Sequence, residues 1–394
     1  MRVLFVTHNI PRFDGDAAGS FVLRLAVALQ SAGARVEVIA PWAAGLSATG
    51  TIEGVTITRV RYADDDAMTL AYEGTMVEQV RRSWSGRFAL IGLLRALRRA
   101  ARAMITNAAN AGDPFDIVHA HWWFPAGLAL WRALPRSTVR VLTMHGSDVR
   151  LAQSIFPARA VMKRVCAEYA VRTAVSSWLA ATASRLAGGR SVEVAPMPVD
   201  TRHFTPDEHA TRAGILFVGR LNSQKGIGDL LNALSQPALH SATLDIVGDG
   251  PDRATLEAQI AAAGLDSRVR WHSVKSQPQL VPLYQRASVV AMPSREEGLG
   301  LVAVEAQLCG TPVVAYASGG LLDVVRPEAG GTLVPTGDID ALATALASLL
   351  NDPARAQMYG DAARAEMRGR FSPESVATGY LALYRDAVAG ARRS

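Results

Sequence analysis

At 394 residues the chain is long for a single core and fits two domains of ordinary size. Hydrophobic residues make up 49% and charged residues 19%, which excludes a disordered chain, and no run of about 20 apolar residues escapes a polar break, which excludes a spanning helix. The formal charge of +6 suits an anionic partner: nucleic acid, an anionic lipid surface or a phosphorylated small molecule.

The chain starts with the strand RVLFVTH (2–8), without the longer apolar stretch and small-residue cleavage site of a signal peptide, so a cytoplasmic location is expected. The helical pattern FVLRLAVALQSAG leads to a second strand, RVEVIAP (35–41). RYADDDAMT is a polar connection, and Asp64, Asp65 and Asp66 read as a solvated acidic run. VRRSWSGRFALIGLLRALRRAARAM (80–104) holds seven arginines and no acid. On a helical wheel Leu90, Leu93, Leu94, Leu97, Ala101 and Met104 share one face. Arg87, Arg95, Arg98, Arg99 and Arg102 lie opposite, with Phe88 and Ile91 among them. Two readings stand: a helix packed by its leucines with solvated arginines, or an edge that meets an anionic membrane or a lipid-diphosphate acceptor.

FDIVHAH (115–121) and RVLTMHG (140–146) continue the strands, and Cys166 and Cys309 read as buried thiols. A second block follows: GILFVGR (214–220), ATLDIVGDG (242–250), SRVRWHS (267–273), SVVAMPS (288–294) and TPVVAYA (311–317). Strands alternating with helices argue for βαβ units, hence an α/β chain of two Rossmann-like domains with parallel sheets. The break falls within 200–213, giving an N-terminal domain 1–205 and a C-terminal domain 206–372. FSPESVATGYLALYRDAV reads as a closing helix, and 373–394 is expected to pack back on the first domain.

Open parallel sheets bind ligands beyond the carboxyl ends of their strands. After FVGR, Arg220 and Lys225 lie among Gly219, Gly226 and Gly228, an arrangement that suits either a diphosphate clamp or a solvated basic loop. In SREEGLGLVAVE (294–305), Gly298, Leu299 and Gly300 precede a helix and leave amides open to phosphate. Carboxylates beside such a site suit sugar hydroxyls better than phosphate. Glu297 and Glu305 are eight residues apart, about 12 Å of helical rise and roughly 80° of rotation, so they do not pair as a dyad. Glu305, among Val302, Ala303, Val304 and Ala306, calls for a buried partner, whereas Glu296 faces solvent.

SREEGLGLVAVEAQLCGTPVVA, together with GRLNSQKG and DIVGDGP, resembles the signature of retaining glycosyltransferases of family 4, which have the GT-B fold: two Rossmann-like domains facing across a nucleotide-sugar cleft. The resemblance covers essentially the whole chain. It implies that Glu297 contacts the transferred sugar and Glu305 the ribose. Arg220 and Lys225, with Gly298, Leu299, Gly300 and Gly19, would hold the donor diphosphate, and the first domain would bind the acceptor. His121 falls where a histidine near the transferred sugar is expected, and Gly15, Asp16, His145, Asp148 and Ser176 are acceptor-side candidates. Two segments depart from the family pattern. Gly15 and Gly19 are split by three residues where paired glycines are commoner, and Met197 and Pro198 replace Asn-Gly before Val199–Asp200.

No metal site and no cofactor are expected, since no DxD stands at a strand end. The implied function is transfer of a hexose from a UDP- or GDP-sugar to an acceptor hydroxyl, lipid-linked or on a glycan, in cell-envelope polysaccharide or glycolipid synthesis. The protein would be cytoplasmic, peripheral at the membrane's inner face through 80–104, and without a nucleic-acid partner. A sugar-nucleotide epimerase or hydrolase and a silent sugar-nucleotide-binding protein are the alternatives. WHSVKS (271–276) is a candidate wall for the donor base.

Overall fold

The computed structural model describes residues 1–393 apart from 17, 73–75, 77, 78, 81, 82 and 136. Arg81 and Arg82 of the basic segment lie outside the described residues. The chain forms two compact units, Met1–Pro198 with Pro373–Ser394, and Val199–Ser372.

Among the described residues the first unit holds eight strands: β1 (Arg2–Val6), β2 (Arg35–Pro41), β3 (Thr49–Ile52), β4 (Val55–Val60), β5 (Ile117–His121), β6 (Arg140–Met144), β7 (Val171–Ala174) and β8 (Glu193–Val194). They lie in the order β3-β4-β2-β1-β5-β6-β7-β8, parallel except for the β3–β4 hairpin. The hairpin turns on Glu53 and Gly54, both at positive φ, as a two-residue loop that follows the sheet's twist requires. Apart from the hairpin arm β3 and the edge strand β8, the strands follow Rossmann order, and the direction of winding switches between β1 and β5.

The sheet is covered by helices whose apolar stripes repeat at helical spacing. The helix Ser20–Ser31 buries Val22, Leu23, Leu25, Ala26 and Leu29. The terminal helix Pro373–Arg393 packs against it and buries Val376, Ala377, Tyr380, Leu381 and Tyr384. Two polar tethers lock that helix to the unit: the Tyr380 hydroxyl donates to Ala195 O at 3.1 Å, and the Tyr384 hydroxyl meets His119 Nδ1 at 2.7 Å.

The second unit holds β9 (Ile215–Val218), β10 (Leu244–Val247), β11 (Val269–His272), β12 (Val289–Met292), β13 (Val313–Tyr316) and β14 (Thr332–Val334). All pairs are parallel, in the order β11-β10-β9-β12-β13-β14. This is again Rossmann order, with the switch between β9 and β12. The core is the apolar runs of these strands, Phe217, Ile246, Val289 and Val314 among them, packed on Leu230, Leu231, Leu342 and Leu346. The unit's two ends are tied where the chain enters and leaves it, Val199 N–H donating to Phe371 O at 2.9 Å.

The helix Trp84–Asn110 begins at Ser83, whose hydroxyl caps Gly86 N at 3.0 Å. It differs from the wheel in two respects. Leu93, Leu97 and Ala101 are buried, but Leu90 and Leu94 are only half-buried. Arg98 and Arg102 are not part of a free basic face. Arg98 donates to the carbonyls of Ala129 and Trp131 at 2.9 and 3.0 Å, and Arg102 to Ala133 at 2.5 Å. They satisfy carbonyls of the chain beyond β5, a demand that a wheel does not display. The outer face keeps Arg87, Arg95 and Arg99 exposed, with Phe88, Ile91 and also Trp84, whose ring lies 4.5 Å from the Arg87 guanidinium.

Candidate functional site

In the second unit the switch point brings together the loop after β9 and the loop after β12, which are the two segments that the sequence singles out. Asn222 caps a short turn at Lys225 N, and the next residue, Gly226, has a φ of 69°. A Cβ at Gly226 would lie 2.0 Å from Pro293 O, so only glycine lets the two loops touch. Arg295 N–H donates to Gln224 O at 2.9 Å, and the Gln224 amide donates to Glu296 O at 3.1 Å. These bonds place the Lys225 ammonium 2.6 Å from a Glu297 carboxylate oxygen, an ion pair between residues 72 apart in sequence. Arg220, at the start of the same loop as Lys225, is exposed.

Glu297 lies before the helix, not on it: the helix is Leu301–Leu308, with Gly300 at its start. Its first internal bond runs from Ala303 N to Gly300 O, so the preceding amides lie ahead of the ladder, at the positive end of the dipole. Glu305 is 5% exposed, and each of its oxygens has a donor: the Tyr284 hydroxyl at 2.9 Å and the Gln277 amide at 3.0 Å. A pocket of about 240 Å³ opens at the carboxyl ends of β9 and β10, lined by Gly219, Arg220, Gly248, Asp249, Val274 and Lys275. The last two belong to the segment WHSVKS. An ammonium, a guanidinium and helix-start amides can hold a diphosphate, and two separated carboxylates can each accept hydroxyls.

In the first unit, Gly19 starts the helix Ser20–Ser31 at a φ of 65°, with space for a Cβ closed by Asn9 O at 2.4 Å. Gly15 faces open space. The Asp16 carboxylate is taken by Arg12, whose Nε is 2.7 Å away, and by Ala18 N at 3.3 Å. Beyond β5, β6 and β1 the rings of His121, His145, His8 and Trp122 gather. His121 is fully buried, with Nδ1 3.1 Å from His145 Nε2. Its Nε2, His8 Nδ1 and Asn9 Oδ1 are buried without a hydrogen-bond partner. Trp122 has φ 66° and ψ 130°, a strained setting for a bulky residue that presses its ring against His8 at 4.4 Å and His145 at 4.2 Å.

Burial pushes His8 down to about 4 and His121 to about 3, and drives His145 well below the ordinary imidazole range, so all three are neutral near pH 7. His119, stacked on His121 at 4.2 Å, is spoken for: Tyr384 holds Nδ1 and Thr143 holds Nε2, both at 2.7 Å. Asp148 accepts from the amides of Trp123, His145 and Gly146 at 2.9–3.1 Å and so shapes the strand-end turns. Burial raises it to about 6. Ser176 caps the helix Ser177–Leu186 at Leu179 N. The residues that sequence reasoning did not name are Tyr284, Gln277, His8 and Trp122. Only the buried setting of Glu305 signalled that a partner was needed.

Two family profiles tile the chain: Glycosyltransferase Family 4 over residues 18–203 and Glycosyl transferases group 1 over 200–366. A D-inositol 3-phosphate glycosyltransferase of Mycobacterium avium is 33% identical over 317 residues, covering 73% of this chain and 74% of that protein. The chain belongs to glycosyltransferase family 4. Among solved structures, this glycosyltransferase is similar to a sucrose-phosphate synthase from Thermosynechococcus elongatus, with a TM-score of 0.80, 24% identity and 99% of each chain covered. It is also similar to HepE of Anabaena in complex with UDP-glucose, with a TM-score of 0.71, 18% identity and 98% and 100% covered. At those identities the likeness concerns the fold, which is GT-B. Among the described residues of the glycosyltransferase, no helix is long and apolar enough to cross a membrane. Nor does any group of three or more His, Cys, Asp or Glu among them suit a metal ion.

Proposed function

We propose that this glycosyltransferase moves a hexose, with retention of configuration, from a UDP- or GDP-sugar to an acceptor hydroxyl on a lipid-linked or glycan substrate of cell-envelope synthesis. The Lys225–Glu297 pair carries the reading: a phosphate-seeking ammonium and a hydroxyl-seeking carboxylate stand 2.6 Å apart at the switch point of a nucleotide-binding sheet. Glu305 accepts the ribose hydroxyls, and the pocket beside Val274 and Lys275 takes the base. The UDP-glucose complex of the HepE neighbour supports a nucleotide-sugar donor of this kind.

The acceptor oxygen attacks the anomeric carbon on the face from which the diphosphate departs. The carbon–oxygen bond to the diphosphate breaks as the new glycosidic bond forms, and a diphosphate oxygen takes the hydroxyl proton. Arg220, Lys225 and the amides of Gly298, Leu299 and Gly300 stabilise the charge growing on the leaving group, without a divalent ion. Glu297 orients the sugar, and His121 of the first unit is a neutral imidazole whose Nε2 has no partner among the described residues. The exposed face of Trp84, Phe88 and Ile91 with Arg87, Arg95 and Arg99 meets an anionic membrane surface.

A melting-temperature panel of UDP, GDP and ADP with their sugars identifies the donor, because a ligand that binds the folded state raises its stability. Product analysis with and without acceptor then tests the reaction. Sugar release or epimerisation from donor alone, undiminished when acceptor is withheld, would refute transfer.

A further inference from the structure

Glu305 is held on both sides. Tyr284 is fully buried, and its hydroxyl donates to one carboxylate oxygen at 2.9 Å, while the half-buried Gln277 donates to the other at 3.0 Å. One donor on each oxygen sets the rotation of the carboxylate about its last bond. Both donors come from the helix Gln277–Arg286, and that helix is itself braced. The Thr311 hydroxyl donates to Tyr284 O at 2.6 Å, and Arg212 donates to Thr311 Oγ1 at 2.5 Å and to Ala287 O and Cys309 O at 3.1 and 3.0 Å. The ring of Phe204 lies 6.2 Å from that of Tyr284. A phenol fixed this firmly does more than fill space, because its one polar atom is spent on Glu305. Burial, with Glu305 adding to it, drives the hydroxyl well above its ordinary range, so it remains a neutral donor.

We propose that Tyr284, assisted by Gln277, is a positioning residue for donor selection: it sets the carboxylate plane of Glu305 so that Glu305 accepts from two adjacent hydroxyls of a ribose. A carboxylate takes up to about four hydrogen bonds, so these donors and a diol can share it, provided that its plane matches the diol. The inference rests on the ribose reading of Glu305. It predicts that discrimination between ribo- and deoxyribonucleotides, rather than phosphate binding, depends on Tyr284.

The test is calorimetric titration of the full chain with UDP and GDP, each beside its 2′-deoxy counterpart, and with inorganic pyrophosphate. Tyr284→Phe should weaken the ribonucleotide roughly tenfold and shrink the ribo/deoxy ratio at least about threefold, with pyrophosphate within about twofold of wild type. Gln277→Leu, at a half-buried position, should shrink the same ratio, and it decides the matter alone if Tyr284→Phe does not fold. Glu305→Gln separates the two levels of the argument. If it abolishes the ratio while Tyr284→Phe and Gln277→Leu leave it at the wild-type value, the positioning role is overturned and the ribose reading stands. If Glu305→Gln itself leaves the ratio intact, the ribose reading falls and the positioning role falls with it.

Discussion

Acidification is the perturbation whose effect on the first unit follows most directly from its histidines. In an unfolded chain an imidazole titrates near 6.5, whereas burial holds His121 at about 3 and His8 at about 4 in the fold. Below pH 6.5 the unfolded state therefore binds protons that the folded state refuses, and stability falls as pH drops towards those folded values. At pH 5 the fully buried His121 alone costs about 2 kcal/mol relative to pH 8. His8, half-buried, adds a smaller amount, and His119 and His145 act in the same direction, burial being the main cause for each. Asp148 opposes them. Its folded value of about 6 lies above the ordinary 3.8, so it gains a proton in the fold as pH falls through 6 and returns about 1 kcal/mol by pH 5. The expected balance is a net loss between pH 8 and pH 5, at least the roughly 1 kcal/mol that His121 leaves after Asp148, with the other imidazoles adding to it. Urea midpoints followed by tryptophan fluorescence report on this unit, because six of the seven tryptophans lie in it. His121→Asn should lower the number of protons linked to unfolding at pH 5 by about one. A wild-type midpoint that is flat from pH 8 to 5, or a His121→Asn slope equal to wild type, would refute the assignment of neutral buried imidazoles.

Three further outcomes are expected. Lys225→Ala should lower turnover by about 10²–10³, the usual effect of removing one donor from a developing anion, while costing only about 1 kcal/mol of stability because both partners of its ion pair keep some exposure; steady-state rates beside a melting curve check both. Gly226→Ala should destabilise the second unit by about 2 kcal/mol or more, since the new methyl meets Pro293 O at 2.0 Å in a left-handed backbone, and a wild-type melting temperature would contradict that contact. Changing Trp84, Phe88 and Ile91 together to Ser should abolish flotation with anionic vesicles at low salt while leaving the melting temperature within a degree or two, because these side chains already face water. Flotation by the triple variant as strong as wild type would remove the membrane face.

Much of the fold is legible because buried parallel strands advertise themselves. RVEVIAP becomes β2 residue for residue, and the nine expected strands all form, most trimmed at their ends. Most strands that go unread are polar or very short, TGTI among them with its threonines and glycine. VTITRV carries a legible alternation, Val55 and Ile57 inward with threonines between, but its turn is Glu-Gly, not the more telling Asn-Gly. The candidate site is legible where one segment carries both the ligand-seeking residue and its backbone support, as at Gly298–Gly300. It is illegible where the partner arrives from elsewhere. No spacing rule links Lys225 to Glu297 across 72 residues or Tyr284 to Glu305 across 21; the first pair meets because β9 lies beside β12, the second because the helices before and after β12 pack on each other.

Each unit makes its own use of charge. The ring cluster beyond β1, β5 and β6 consists of imidazoles held neutral by burial and an indole, which can exchange hydrogen bonds with hydroxyls but offer little against the charge of a phosphate. The loops after β9 and β12 concentrate opposite charges in contact, and that contact has a consequence for donor binding. Lys225 and Glu297 neutralise each other at 2.6 Å, so a diphosphate that draws the ammonium away leaves the carboxylate short of a partner unless a sugar hydroxyl supplies one. On the proposed donor reading the two halves of a nucleotide sugar would help each other: the phosphate would draw Lys225 away and the sugar would take its place at Glu297. A nucleoside diphosphate alone would leave Glu297 to water, since its side chain keeps 17% exposure, and a free sugar would compete with Lys225. On that reading the intact donor is favoured over its own fragments, because neither fragment by itself replaces both members of the ion pair.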